Sequence, residues 1–168
     1  EAAYTYDGPT ASVNTVEKLL NIPINHYVVF NFLSFIKLID AVGGIDVNVK
    51  QAFDGVTKDG PGSIHFDAGK QHLDGTKALS YARERHSDND IMRGFRQQEI
   101  IQAVEDKLKS GQSIMKIMDI IDSLNGNIQT DVDSNELTHL VKEGLTWTNY
   151  DKQQLSFDWR TFSNEGRS

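Results

Sequence analysis

Apolar residues recur along this chain with two periods, and the switches between them mark out its elements. Val13, Val16, Leu19 and Leu20 repeat at helical spacing after Asp7-Gly8-Pro9. A helix is therefore predicted to open there, with proline in its first turn, and to stop before Pro23. His26 to Asn31 is almost continuously apolar, which predicts a strand buried on both faces. Asn31 or Ser34 then caps a second helix over 35–42, closed by Gly43 and Gly44. Ile45, Val47 and Val49 alternate with Asp46 and Asn48, the period of a half-exposed strand. Strand, helix and strand joined by short links suggest a βαβ-like unit. From 50 to 70 the composition turns to Gly, Asp, Lys and Pro61, which predicts a long surface loop.

The second half reads as mostly helical. Asp74 is a predicted N-cap for a short helix that turns Ala78, Leu79 and Ala82 inward. A longer helix is predicted over 90–109, ended by Ser110-Gly111, and another over 113–124 with Ile114, Ile117, Met118 and Ile121 inward. Asp133 and Glu136 have capping-box spacing for a helix ending near Leu145. Leu155, Phe157 and Trp159 alternate in a predicted last strand. The expected fold class is α/β: one layered domain over 1–168, with a central sheet flanked by helices in a three-layer α-β-α-like arrangement.

Charge changes the picture at one place. The chain is acidic, with 24 Asp+Glu against 17 Lys+Arg and a formal charge of −7, which argues against a nucleic-acid binder. Yet Arg83, Arg85, Arg93 and Arg96 crowd into a short stretch. Arginine stays charged and grips phosphate with a planar fork of donors, so the cluster points to an anion with several oxygens, a diphosphate best of all. Arg83 and Arg85, at i and i+2, can share one target if the chain leaves its helix there. Glu84 between them is their natural counter-charge.

The helix from 90 sharpens this. Ile100, Ile101, Val104 and Leu108 form an apolar stripe whose projection toward the N-terminus brings up Asp90, Arg93 and Gln97. An inward arginine must meet an acid or a bound anion, because an unpartnered buried charge is very costly. The alternatives are an ion pair with Asp88 or Asp90, or a solvated first turn. Asp88 and Asp90 are also oxygen donors for a hard cation, although orienting the arginines is their preferred role.

Other chemistries are excluded by what the chain lacks. It has no cysteine, hence no disulfide, thiol chemistry or Cys-bound metal. Its histidines are scattered without metal spacing, and no nucleophile elbow, P-loop or zinc-protease motif is present. No apolar run is long enough to span a bilayer.

Several stretches resemble the LytR-CpsA-Psr family. They are Ala3 to Pro9, Thr15 to Ile24, Leu38 to Val47, Gly69 to Arg85, and the signature Asp90-x-x-Arg93-x-x-Arg96-Gln97-Gln98. The resemblance covers nearly the whole chain, and it is the ordered set of stretches that is specific. It implies a membrane-anchored enzyme on the extracellular face, mainly of Gram-positive bacteria. Such enzymes move a glycopolymer such as wall teichoic acid or capsule from an undecaprenyl-diphosphate carrier to peptidoglycan. Carried over by motif, Arg83, Arg85 and Arg93 are the catalytic, diphosphate-binding arginines, joined in binding by Gln97 and Arg96. The resemblance also implies Mg²⁺, held by an Arg-Asp pair and a further Asp on strands upstream of Glu1. The chain is accordingly expected to be the C-terminal portion of the domain, weak or inactive by itself, with a membrane helix in the absent N-terminal part.

Three classes of function follow: a glycopolymer transferase or related lipid pyrophosphatase, a non-catalytic polyprenyl-phosphate-binding module of the envelope, and a transcriptional attenuator, as the family was formerly described. The acidic balance and the lack of a DNA-binding motif disfavour the last.

Overall fold

The structure is a computed structural model, and it describes residues 2–57, 62–84, 90–108 and 128–133, together with Asn135, Glu136, His139 and Glu143. The expected helix over 113–124, the body of the helix ending near Leu145 and the strand around Leu155 to Trp159 lie outside the described residues.

Helix α1 runs Ala2–Leu20 with a break at Asp7 and Gly8, where the backbone leaves helical angles and Gly8 takes φ 60°. The regular part thus starts at Pro9, where the sequence places it. Strand β1 is short, Val28–Phe30, and its burial differs from expectation. Val28 and Phe30 are exposed and only Val29 is half-buried. It pairs antiparallel with β6, Ile128–Thr130, and the Asp131 carboxylate accepts from the Tyr27 N–H at 2.9 Å. A partner about a hundred residues away left no local trace in the apolar run.

Helix α2, Phe32–Ala41, is capped by Asn31, whose side chain accepts from the Ser34 N–H at 2.8 Å. It delivers Ile39 to the core. Gly43 and Gly44 then turn the chain with positive φ, and a side chain on Gly44 would collide with His72 and the Leu73 carbonyl. Strand β2, Ile45–Val49, shows the predicted alternation, with Ile45, Val47 and Val49 buried and Asp46 and Asn48 exposed. Its partner is β5, Gly69–Leu73, antiparallel and in register Ile45 to Leu73.

The 50–70 segment is not a long loop. It carries β3, Phe53–Val56, and β4, Ser63–Phe66, an antiparallel pair, and then the start of β5. Its described charged residues Lys50, Asp54, Asp67 and Lys70 are exposed, Gly55 is buried within β3, and the sparse apolar residues Phe53, Ile64 and Phe66 pack inward. Every strand pair among the described residues is antiparallel, and β1 and β2 belong to different pairs. The βαβ-like unit is therefore corrected, whereas the mixed helix-and-sheet single domain stands.

Helix α3, Gly75–Arg83, and helix α4, Asp90–Leu108, cover the β2–β5 and β3–β4 pairs. One core joins Ile39, Ile45, Val47, Val49, Phe66, Leu73, Ala78, Tyr81 and Ile100. Burying each large side chain contributes about 1.5–3 kcal/mol.

Candidate functional site

The site is built on the end of α3. Asp74 caps this helix as predicted, accepting from the Lys77 N–H at 2.8 Å. Its first residue is clamped to α2, because the Gly75 N–H donates to Asp40 at 2.7 Å. A side chain at Gly75 would run into the Ile36 main chain, so only glycine permits this approach. Ala78, Leu79, Ser80 and Tyr81 are all buried, which fixes the rotation of the helix. At its far end Glu84 takes extended angles, φ −58° and ψ 131°, so the chain leaves the helix directly after Arg83. The Arg83 guanidinium lies 4.6 Å from the Phe32 ring centroid and 3.5 Å from the Thr57 carbonyl oxygen. Arg85 and Asp88 fall outside the described residues, as does the side chain of Asp90.

Helix α4 keeps most of the expected stripe, with Val104 and Leu108 packed against the core. Ile100 is buried, but Ile101 is 64% exposed and Gln97 is also exposed. The position that joins Ile100 in the core is Arg96, only 6% exposed. Arg96 donates to the Glu84 main-chain carbonyl at 2.6 Å, and its guanidinium stands 5.5 Å from the Phe53 ring and 5.9 Å from the Tyr81 ring. Those rings pack with Phe66 in an aromatic cluster. The wheel drawn through Ile100, Ile101, Val104 and Leu108 leaves Arg96 out, whereas a guanidinium packed against aromatic rings is itself a core side chain.

Arg93 and Gln97, about 40° apart on the helical wheel, fall between buried Ile100 and exposed Ile101. Arg93 is half-buried. The Gln97 amide lies 3.5 Å from the Ala82 carbonyl, next to Arg83. Gln97 is thereby brought to the end of α3 across the α3–α4 junction. Phe32, under the Arg83 guanidinium, is an exposed large apolar side chain, as are Phe30 and Leu33 close to it in the sequence and Val16, Leu19 and Leu20 on α1. Three of the four apolar residues that set the period of this helix thus face solvent.

Glu99 is a determinant that the sequence did not single out. One carboxylate oxygen accepts from the Asn48 N–H at 2.8 Å and the other from the Tyr81 hydroxyl at 2.7 Å, which locks α4 to β2 and α3. On this side of α4 opens a pocket of about 1000 Å³ whose lining includes Phe53, Phe95, Arg96 and Glu99. At its edge, hydrogen bonds from His72 and Lys107 hold the Asp46 carboxyl below the usual carboxylate range. Farther off, on the β3–β4 hairpin, a hydrogen bond with Asp54 raises the affinity of His65 for its proton.

Among the described residues, no three His, Asp or Glu side chains converge on a metal position. No helix among them is long and apolar enough to cross a membrane.

Comparison with known proteins gives a coherent result. The model of the LytR_cpsA_psr family matches residues 1–165. The polyisoprenyl-teichoic acid–peptidoglycan teichoic acid transferase TagU of Oceanobacillus iheyensis is 41% identical, over 80% of this chain and 41% of its own length. The solved structure of Bacillus subtilis TagV superposes with a TM-score of 0.74 at 37% identity, covering 87% of this chain and 56% of that one. A structure of TagT bound to LIIa-WTA superposes with a TM-score of 0.69 at 29% identity, over 85% of this chain and 54% of that one. The chain thus spans about two fifths of the transferase's length and little more than half of either solved chain.

Proposed function

This chain belongs to the LytR-CpsA-Psr family, and we propose that it forms part of an enzyme transferring an anionic cell-wall glycopolymer, such as wall teichoic acid, from an undecaprenyl-diphosphate carrier to peptidoglycan. The observation that carries this reading is the approach of Gln97 to the end of α3, next to Arg83, whose guanidinium lies over the exposed Phe32 ring. A lipid diphosphate has the same two-part chemistry. Its phosphates call for fixed cationic and amide donors, and its tail calls for apolar surface. Arg93 lies on the same flank of α4 as Gln97, and Arg85 follows Arg83 by two residues in the sequence.

The chemistry of the proposed site follows from charge. As a phosphotransferase, the enzyme would let an acceptor hydroxyl of peptidoglycan, losing its proton, displace at the P–O–P bond. The polymer would then move with one phosphate as a phosphodiester, while negative charge builds on the departing lipid phosphate. Arg83 and Arg93, with Arg85, would stabilise that developing charge more than the ground state, which lowers the barrier. Gln97 would donate to a phosphate oxygen without adding charge. The exposed side chains of α1 and Ile101 offer apolar contact for the polyprenyl tail. A Mg²⁺ ion stays in the proposal on family resemblance alone. The described residues do not assemble a site for it, so no step is assigned to it.

The proposed setting is the outer face of the cell membrane, with peptidoglycan as acceptor. Incubating the intact protein with a lipid-linked glycopolymer and peptidoglycan tests the reading. Polymer should become covalently attached to peptidoglycan with wild type and not with Arg83→Ala. Equal attachment by both proteins would overturn the role given to this site.

A further inference from the structure

We infer that Arg96 is a positioning residue that acts through the Glu84 carbonyl to set the course of the chain at Arg83; its bearing on catalysis rests on the reading of the site given above. The family signature places Arg96 beside the diphosphate-binding arginines in sequence, but the fold turns it the other way. It is 6% exposed, whereas its neighbours Phe95 and Gln97 are exposed. Its guanidinium sits near both Phe53 and Tyr81 and reaches across to donate to the Glu84 main-chain oxygen at 2.6 Å.

That oxygen belongs to the residue at which α3 ends, immediately after Arg83, and Glu84 itself is 0% exposed. A helix end frays readily, because its last carbonyls have no partner within the helix. Here an arginine from another helix takes up the carbonyl at the exit. The guanidinium is in turn braced by rings from β3 and from α3 itself. The Arg83 backbone therefore leaves α3 in one direction, and its side chain is held over Phe32 near the Thr57 carbonyl. Lysine carries the same charge but lacks the planar fork that can stack on the aromatic rings while donating to a carbonyl in its plane.

A double-mutant cycle in the intact protein tests this, with farnesyl diphosphate as the titrant. Arg96→Lys and Arg96→Met should each weaken binding about tenfold in the wild-type background, the worth of one hydrogen bond to a charged group. In the Arg83→Ala background both should have little further effect, because the residue they act through is gone. Equal loss from Arg96→Met in both backgrounds, with Arg96→Lys near wild type, would mean direct contact with the diphosphate and would overturn the inference.

Amide hydrogen exchange supplies the independent arm. In Arg96→Lys the amides of Ala82, Arg83 and Glu84 should exchange faster while those of β2 and β5 keep wild-type rates. Acceleration spread evenly over the fold, or none at all, would overturn the positioning role. If the wild type itself fails to bind farnesyl diphosphate, the functional reading fails, and exchange still decides whether Arg96 holds the end of α3.

Discussion

Replacing Glu99 by alanine should loosen the junction on which the site depends, and the cost can be worked from its two partners. The Tyr81 hydroxyl donates to Glu99 at 2.7 Å, and Tyr81 is buried. Depriving a buried hydroxyl of its acceptor costs about 1–3 kcal/mol. The Asn48 N–H, at 2.8 Å from the other oxygen, lies on an exposed residue. Water replaces that acceptor, so its loss costs nearer ~0.5–1 kcal/mol. Together these give about 2–4 kcal/mol, a fall in melting temperature on the order of 10 °C for a chain of this size. Urea denaturation of Glu99→Ala, Tyr81→Phe and the double variant measures it. The double variant has no buried hydroxyl left to satisfy, so it should be less destabilised than the sum of the singles by about 1–2 kcal/mol. Strict additivity would refute the reasoning, because the Tyr81–Glu99 bond would then contribute nothing of its own.

Three further outcomes follow from the same geometry. Gly75→Ala should cost about 1–3 kcal/mol by forcing α3 away from the Ile36 main chain, read as a lower urea midpoint; an unchanged midpoint would mean that the two helices slide freely. Gln97→Leu should leave stability within about 0.5 kcal/mol, since the side chain is exposed, yet weaken farnesyl diphosphate binding by about 1–2 kcal/mol; equal affinities by calorimetry would remove Gln97 from the site. The pH responses at the two strand pairs should be opposite in sign. His65 is raised above 6.5 by Asp54, so its contribution is full below 6.5 and is lost as pH rises through the folded value. Asp46 is lowered below 3.8 by His72 and Lys107, so its contribution is full above 3.8 and is lost as pH falls through the folded value. NMR titration of Asp54→Asn and His72→Ala should return each partner toward its ordinary value, and unchanged titrations would contradict these causes.

What could be read from the sequence was what local chemistry determines. Asp74 caps α3 through its own side chain, and β2 alternates because one face meets α4 and the core. The start of α1 at Pro9 and the span of α4 followed equally from residues in place. Features set by distant partners were misread. β1 looked doubly buried because Val28 and Phe30 are apolar, yet they are exposed, and the strand's ladder is closed by residues 128–130. The 50–70 stretch looked like a loop because β3 and β4 bury few side chains, and the aromatic contacts of Phe53 and Phe66 become visible only when α3 brings Tyr81 to them.

The site shows the same division. Arg83, Arg93 and Gln97 were singled out by residue type and motif, and the structure brings Gln97 to the end of α3. The wheel matches the structure at Ile100, Val104 and Leu108 and departs from it at Ile101 and Gln97. It took no account of how well a guanidinium packs among rings, and Arg96 joined the ligand-binding residues through the family motif. Glu99 has no motif at all. Its importance lies in two partners on other elements, which only the fold reveals.

The most direct test of the central claim is calorimetric titration of farnesyl diphosphate into the intact protein, its Arg83→Ala variant and its Arg93→Ala variant, each checked for an unchanged melting temperature. The account predicts saturable binding by the wild type and a loss of about tenfold or more in each variant, since each removes a charge-assisted contact to phosphate. Undiminished affinity in both variants, with their folds intact, would contradict it.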